Sequence, residues 1–270
     1  MQMKSDNRPR RASSVVADLA ADGRYHFTAA EMRRRLAVSP AAARLALSRL
    51  AKKGLIAGPA RGFYVVVRPE YRRLGCLPAE QFIPALMAHL DRHYYAALLS
   101  ASQFYGAAHH RPQTFQVALA GYRRPISCGR VAVSFITRAR LAEVPTQSVN
   151  TPRGAISVSS LEATAVDLVG YEKRVGGLSQ AATVIAELAE DIHPERLAAA
   201  ARTAPVSWAQ RLGYLLDLVG AGDKTSPLQR DVRQRARDAM LLVPGGRDEG
   251  RAPRDRRWRL RINAEVEVET

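Results

Sequence analysis

The chain has 270 residues, of which 47% are hydrophobic, so the length indicates roughly two domains and the composition excludes a disordered chain. Its formal net charge is +16. Residues 1–75 carry 16 basic and 5 acidic side chains, so this quarter of the chain holds about two thirds of the net positive charge. Such a concentration of positive charge points to a polyanionic partner at this end of the chain. A soluble, arginine-rich protein with no such partner is the alternative.

Two cysteines, Cys76 and Cys128, fit a reducing compartment and are too few to build a zinc site alone. The first eleven residues are polar and basic with no apolar stretch behind them, so we expect a cytoplasmic protein. Residues 93–110 form the longest run without a charged side chain. They contain polar residues and predict a buried helix with its turn rather than a membrane span.

Residues 1–10 predict a mobile basic arm, and a compact helical segment follows. Ser13–Ala20 predicts a first helix. Thr28-Ala-Ala-Glu31 is a capping box, which predicts a second helix ending near Leu36. Ser39-Pro40 then supplies an N-cap and a proline at the first helical position, so a third helix is expected as far as Lys53.

The third predicted helix places Ala43, Ala46, Leu47 and Leu50 on one buried face. A strand begins at Leu55-Ile56, turns at a tip that contains Arg61, and returns through residues 63–67. Two helices joined by a short turn and followed by such a hairpin are typical of a winged helix-turn-helix, which we assign to residues 11–75.

The outer side of the third helix fits the major groove of double-stranded DNA. There Arg44 can donate to guanine, Ser48 can reach a base or a phosphate, and the remaining cations suit phosphates. The predicted DNA-binding residues are Ser39, Ala41, Arg44, Ser48, Arg49, Lys52, Lys53 and Arg61. A winged helix used for protein contact is the alternative.

Alanines dominate this outer side, and it contains no Asn or Gln to read adenine. Specificity then depends on few contacts, on duplex shape, or on Arg8, Arg10 and Arg11 of the arm in a minor groove. The triple Arg33-Arg34-Arg35 fits either DNA backbone contact or a solvated basic face.

Residues 78–270 predict a second, larger, helix-rich α+β domain. β-branched runs at Phe115–Leu119, Val131–Ile136 and Ala155–Val158 predict strands, and residues 160–220 are strongly helical. Alternation over Trp258–Val268 predicts a final strand.

No group of residues in the sequence has the spacing that a known catalytic or metal-binding motif requires. His89 and His93 stand four residues apart, but no third metal ligand lies near them, so a structural pair is favoured. The glycines around Gly220 lack the spacing of a phosphate loop. We therefore predict no catalytic residue, metal or cofactor, and a protein that is not an enzyme.

The order of motifs resembles AbiEi-type antitoxins of type IV toxin–antitoxin systems. The resemblance begins with Ser39-Pro40 to Ile56 and Arg61 to Val65, which are generic to winged helices. It continues more specifically with Tyr94–Ala101, Val158–Leu168 and Trp208–Leu216. It covers about residues 11–262.

This resemblance implies a repressor that binds inverted repeats in the promoter of its own operon. It also implies an antitoxin that opposes a nucleotidyltransferase-like toxin, without requiring a stable complex with it. No membrane partner is expected. A one-component transcription factor with a C-terminal ligand-sensing domain is the alternative function.

Arg211 and Tyr214 share one side of a later helix and are the candidate surface of the antitoxin domain. The competing interpretation is structural, with Arg211 paired to Asp167 or Glu162, because a buried arginine usually needs a carboxylate.

Overall fold

A computed structural model of the chain describes residues 11–107, 112–246 and 252–268. The predicted α+β fold class is confirmed: a winged helix-turn-helix is followed by a larger body of helices and one main sheet. The predicted basic arm, residues 1–10, lies outside the described residues.

The N-terminal part, described from residue 11 onward, contains three α-helices and three strands. They are α1 (Ala12–Ala21), β1 (His26–Thr28), α2 (Ala29–Leu36), α3 (Pro40–Lys52), β2 (Ile56–Ala60) and β3 (Phe63–Val66).

The capping residues read from the sequence set the helix starts. The Thr28 hydroxyl accepts from the amide of Glu31 at 3.1 Å, and the Ser39 hydroxyl accepts from the amide of Ala42 at 3.3 Å. Between them Ala37 adopts a left-handed conformation, with φ 54°, and ends α2. The turn therefore points α3 away from α2 within three residues, and both helices pack their apolar sides on α1.

Sequence reasoning missed β1. It pairs antiparallel with β3, Phe27 opposite Tyr64, and makes β3 the central strand of a three-stranded sheet. Three residues carry too little alternation to be recognised as a strand, and only pairing with a distant segment makes them one.

The larger body begins with α4 (Ala79–His89), which packs against a six-stranded mixed sheet. The spatial order of the sheet is β6-β7-β5-β4-β9-β8. Its strands are β4 (Tyr95–Ala96), β5 (Thr114–Leu119), β6 (Ile126–Cys128), β7 (Val131–Thr137), β8 (Thr146–Thr151) and β9 (Gly154–Ser159). The three β-branched runs of the sequence are therefore strands, as predicted.

The prediction of one helix and its turn over residues 93–110 is wrong. Tyr95–Ala96 forms strand β4 between β5 and β9, and within residues 93–107, the described part of this run, only α5 (Leu98–Ser102) is α-helical. An uncharged run is equally compatible with a strand buried on both faces, and the pairing of β4 with two neighbours decides between them.

In the described part of the chain, five further α-helices follow the sheet and enclose a large apolar core. They are α6 (Leu161–Gly170), α7 (Leu178–Ala189), α8 (Pro194–Arg202), α9 (Val206–Leu218) and α10 (Ser226–Arg235). The Ser160 hydroxyl caps α6 by accepting from the amide of Ala163 at 3.2 Å. Leu212, Leu215 and Leu216 of α9, which stand three and four residues apart, are fully buried.

The end of the described range 112–246 and the last described range, 252–268, together form a small sheet of two-residue strands: β10 (Met240–Leu241), β11 (Arg254–Asp255) and β12 (Leu260–Arg261). The predicted strand over Trp258–Val268 is thus limited to Leu260–Arg261. Trp258 is fully buried instead, and its indole N–H donates to the Asp217 carboxylate at 2.6 Å. The alternating apolar residues of this segment, Leu260, Ile262, Val266 and Val268, belong to or pack against the large apolar cluster instead of forming one extended strand.

The winged helix and the larger body share one apolar cluster. Phe63 and Val65 of the wing pack there with Phe82 and Leu86 of α4 and with Val117 of the main sheet. The predicted boundary between residues 75 and 78 therefore runs through a continuous core, because wing and sheet bury the same apolar surface.

Candidate nucleic-acid interface

Helix α3 turns one face into the molecule and the other outward. Ala43, Leu47 and Leu50 are buried, at positions three and four residues apart. The remaining positions, apart from the half-buried Ala46, are exposed. The predicted binding residues Ser39, Ala41, Arg44, Ser48, Arg49, Lys52 and Lys53 all lie among the exposed ones.

Two open grooves run along α3. One lies between α2 and α3 and is lined by Arg33, Pro40 and Arg44. The other lies between α3 and the wing and is lined by Arg44, Ser48 and Arg61. Arg44 therefore stands on the ridge between the grooves, the position from which a side chain on a helix seated in DNA meets base edges.

The tip of the wing is held beside α3 by backbone geometry. Gly62 has φ 78°, a conformation that glycine adopts without strain, and its carbonyl accepts from the amide of Ala29 at 2.9 Å. This bond ties the tip to the start of α2, and Arg61 beside it is exposed. The structure thus brings Arg61 to the same groove as Arg44 and Ser48, although they are distant in sequence.

The outer side of α3 carries positive charge that no carboxylate in the described part of the chain neutralises. Within the described ranges, no carboxylate forms an ion pair with Arg44, Arg49, Lys52, Lys53 or Arg61. Unneutralised cations on one helix face attract a polyanion and contribute a salt-dependent binding energy. Leu45 is 52% exposed on the same side, which makes it available for contact with a thymine methyl group.

The triple arginine of α2 is divided by the fold. Arg35 donates to the Glu31 carboxylate at 3.1 Å, and Arg24 binds the same carboxylate. Hydrogen bonds from Arg24 lower the pKa of Glu31. Arg33 and Arg34 are exposed, and Arg33 lines the groove between α2 and α3, while Arg35 has a structural role. Of the predicted minor-groove arginines, Arg11 is exposed at the start of α1; Arg8 and Arg10 lie outside the described residues.

The assignment of Arg211 to a surface of the antitoxin domain is wrong. Arg211 is 5% exposed, its Nε–H donates to the Leu241 carbonyl at 3.3 Å, and burial lowers its pKa. Tyr214 is half-buried beside it. The segment after α10 folds back over α9 and covers this side of the helix, a long-range contact that helical spacing does not reveal.

The structural pairing expected for Arg211 is made by another arginine. Asp167 is fully buried and accepts from Arg138 Nε at 2.9 Å and from the Tyr95 hydroxyl at 2.7 Å. Burial raises the pKa of Asp167, and Arg138 and Tyr95 oppose this by stabilising the carboxylate.

Arg138 is also buried and is held in place by further contacts. It donates to the Thr203 carbonyl and hydroxyl, each at 3.0 Å, and stacks over the Trp208 ring at 5.1 Å. Together, Arg138, Asp167 and Tyr95 form a buried polar cluster that links β4, the end of β7, α6 and the α8–α9 turn. No sequence spacing signals it, because its members are 29 to 72 residues apart.

Of His89 and His93, the two histidines four residues apart, His89 has a packing role. The His89 ring lies 5.5 Å from the Phe63 ring of the wing. Within the part of the chain that the structure describes, no group of three or more His, Cys, Asp or Glu side chains is arranged to hold a metal ion. None of the helices in that part is both long and apolar enough to span a bilayer.

Comparison with protein families identifies two adjacent stretches. Residues 14–67 match the model described as transcriptional regulator, AbiEi antitoxin, and residues 95–218 match the model of the AbiEi antitoxin C-terminal domain. Together the matches cover the winged helix and most of the larger body. The chain belongs to the AbiEi antitoxin family. An antitoxin role in a toxin–antitoxin system and a role in transcription regulation follow from this membership.

Among solved structures, the crystal structure of the RV2827C protein from Mycobacterium tuberculosis matches this AbiEi chain with a TM-score of 0.66. The match covers 94% of this chain and 92% of that one at 19% identity, so it establishes a shared fold. Comparison with curated protein sequences gave no match.

Proposed function

We propose that this AbiEi antitoxin binds double-stranded DNA in its own promoter through α3 and the wing, and thereby represses its operon. The observation that supports this is the outward side of α3: Ala43, Leu47 and Leu50 face the core, while two open grooves are lined by arginines that pair with no carboxylate in the described residues. Arg44 is the proposed base-reading side chain. Arg49, Lys52, Lys53 and Arg61 are the proposed phosphate contacts, with Ser39 and Ala41 at the helix start that approaches the backbone.

A double variant, Arg44→Ala/Arg49→Ala, tests the DNA-binding surface. A good base contact contributes about 1–3 kcal/mol, so we expect the Kd for upstream DNA to rise at least about tenfold. The measurement is a band-shift titration at several salt concentrations, in which the salt slope also falls because a phosphate contact is lost.

The matched control also removes two positive charges, but at and just after the end of α10. Arg233 and Arg237 are exposed there and are far from α3 in sequence. Arg233→Ala/Arg237→Ala is expected to retain the affinity of the wild type. Equal weakening by both double variants would mean that net charge alone drives binding, and the assignment of α3 would be lost.

We further propose that the antitoxin opposes a nucleotidyltransferase-like toxin without forming a stable complex, which is a type IV arrangement. The test is coexpression with the product of the adjacent gene. Growth should be restored while the two purified proteins elute separately in gel filtration. Coelution as a stable complex would contradict the type IV assignment, and a metabolic enzyme as the neighbour would favour the ligand-sensing alternative.

The same double variant separates the two roles better than truncation does. A fragment that begins at residue 78 would expose the side of α4 that packs on Phe63 and Val65 of the wing. The full-length Arg44→Ala/Arg49→Ala chain keeps this core intact. We expect it to rescue growth while it fails to repress the promoter, and loss of both activities would contradict separate roles for the two parts.

A further inference from the structure

The two cysteines, 52 residues apart in sequence, come together where the wing meets the main sheet. Cys76 follows the winged helix and Cys128 ends β6, and both thiols are free and buried in the shared apolar cluster. Their thiols form a hydrogen bond with each other. Nothing in the proposed DNA-binding or antitoxin roles uses this thiol pair.

The backbone holds the two cysteines against each other. A Cβ built on Gly129 would lie 2.9 Å from Gly75 Cα and 2.2 Å from the Leu74 carbonyl oxygen, so the two segments touch at their glycines. The amide of Arg130 donates to the same carbonyl at 2.7 Å. This contact brings the neighbouring residues Cys76 and Cys128 together within the same buried cluster.

The two thiols differ in their surroundings. The Cys128 sulfur accepts hydrogen bonds from the Cys76 S–H and from the amide of Gly58 in wing strand β2, and these lower the pKa of Cys128. The pKa of Cys76 is raised, because donation to Cys128 and burial both favour its neutral form. Cys128 is also 8% exposed whereas Cys76 is fully buried. Cys128 is therefore the reactive member, since the thiolate is the nucleophile.

We propose that Cys76 and Cys128 are a reversible oxidation site, at which a peroxide converts the thiol pair into an intramolecular disulfide. The Cys128 thiolate attacks one peroxide oxygen, the O–O bond breaks, and hydroxide leaves to become water, so that Cys128 becomes a sulfenic acid. The Cys76 sulfur then attacks the Cys128 sulfur and expels a second water. Two thiols are oxidised, one hydrogen peroxide is reduced, and a dithiol reductant reverses the change.

The oxidation is transmitted to the wing through Gly58. In the reduced protein its amide donates to the Cys128 sulfur, and its neighbours Pro59 and Arg61 line the groove beside α3. We expect the disulfide to draw the Cys128 sulfur toward Cys76 and away from this amide. This step rests on the proposed DNA-binding function, and we expect a several-fold higher Kd for promoter DNA in the oxidised protein.

Mass spectrometry of the full-length wild type tests the site without any variant. After treatment with hydrogen peroxide and alkylation, we expect the loss of two hydrogen atoms, no alkylated cysteine, and a cross-linked peptide containing Cys76 and Cys128. A dithiol reductant should restore two alkylated thiols. Two alkylated cysteines after peroxide treatment, a disulfide between two chains, or oxidation to sulfonic acid would overturn the proposal.

A band-shift comparison then tests the effect on the wing. Reduced and oxidised wild type are compared with Cys76→Ser, which keeps Cys128 but cannot form the disulfide. We expect peroxide to change the Kd of the wild type and to leave that of Cys76→Ser unchanged. Should this variant fail to fold, the wild type before and after reversal by the dithiol gives the same comparison.

The outcomes separate the two proposals. A disulfide that forms without a change in Kd overturns transmission to the wing and leaves the oxidation site in place. Reduced wild type that does not bind promoter DNA at all contradicts the proposed function, while the mass-spectrometric result still decides the site.

Discussion

The buried pair of Arg138 and Asp167 gives the sharpest prediction of stability. Asp167 accepts one hydrogen bond on each carboxylate oxygen, from Arg138 and from Tyr95, and both members of the ion pair are almost fully buried. In Asp167→Asn the new amide keeps one acceptor oxygen and turns an N–H₂ group toward the other donor. The guanidinium, still held by Thr203, then stays buried without its carboxylate.

Breaking one side of a buried ion pair costs about 3–5 kcal/mol. We expect about 3 kcal/mol for Asp167→Asn, the low end, because the amide retains one hydrogen bond. A domain of this kind is stabilised by about 5–15 kcal/mol in total, so the loss is a large fraction. Urea denaturation at pH 7, followed by circular dichroism, measures it as a lower midpoint at an unchanged m-value.

The matched control is an arginine–carboxylate pair on the surface. Arg140 and Glu143 form an ion pair in which each side chain is more than half exposed. Glu143→Gln is expected to leave the midpoint nearly unchanged, since water solvates both groups when the pair is broken. The reasoning is refuted if Asp167→Asn and Glu143→Gln behave alike.

A double variant tests whether the cost comes from the stranded charge. Arg138→Met together with Asp167→Asn removes the cation as well as the carboxylate. The loss in free energy of unfolding of this double variant should therefore be clearly smaller than the sum of the losses of the two single variants. Strict additivity would assign the loss to packing instead.

Two further predictions concern a tight contact and the pH dependence. Gly213→Ala should lower the free energy of unfolding by about 1–3 kcal/mol, because a Cβ there would lie 2.2 Å from the buried Trp258 ring. The control is Gly121→Ala, where a Cβ would meet nothing within 4 Å. Urea denaturation should show a lower midpoint for Gly213→Ala and an unchanged midpoint for Gly121→Ala. Glu31→Gln should destabilise the protein more at pH 7 than at acid pH. Because Arg24 lowers the pKa of Glu31 in the folded protein, the Glu31 carboxylate stabilises the fold above about pH 4.5, and this stabilisation is lost as the pH falls through the pKa of Glu31 in the folded protein. Urea midpoints of wild type and variant should therefore converge as the pH falls below about 4.5, and a constant difference would contradict the ion pair.

The sequence by itself determined the local structure of the winged helix. Thr28, Ser39 and Pro40 act within one helical turn of themselves, so their capping roles hold wherever the chain goes. The spacing of Ala43, Leu47 and Leu50 likewise decides which side of α3 is buried, and by exclusion which side is exposed. The strands with long β-branched runs are determined in the same way.

Only the tertiary structure decided which distant residues meet. Strands β1 and β4 exist because other strands pair with them, and Arg211 is buried because the segment around Leu241 covers it. The partner of Asp167 is Arg138, 29 residues away, and no local pattern distinguishes it from any other arginine. Burial and charge pairing are properties of the whole packed chain, whereas helix caps and apolar periodicity are properties of a few neighbouring residues.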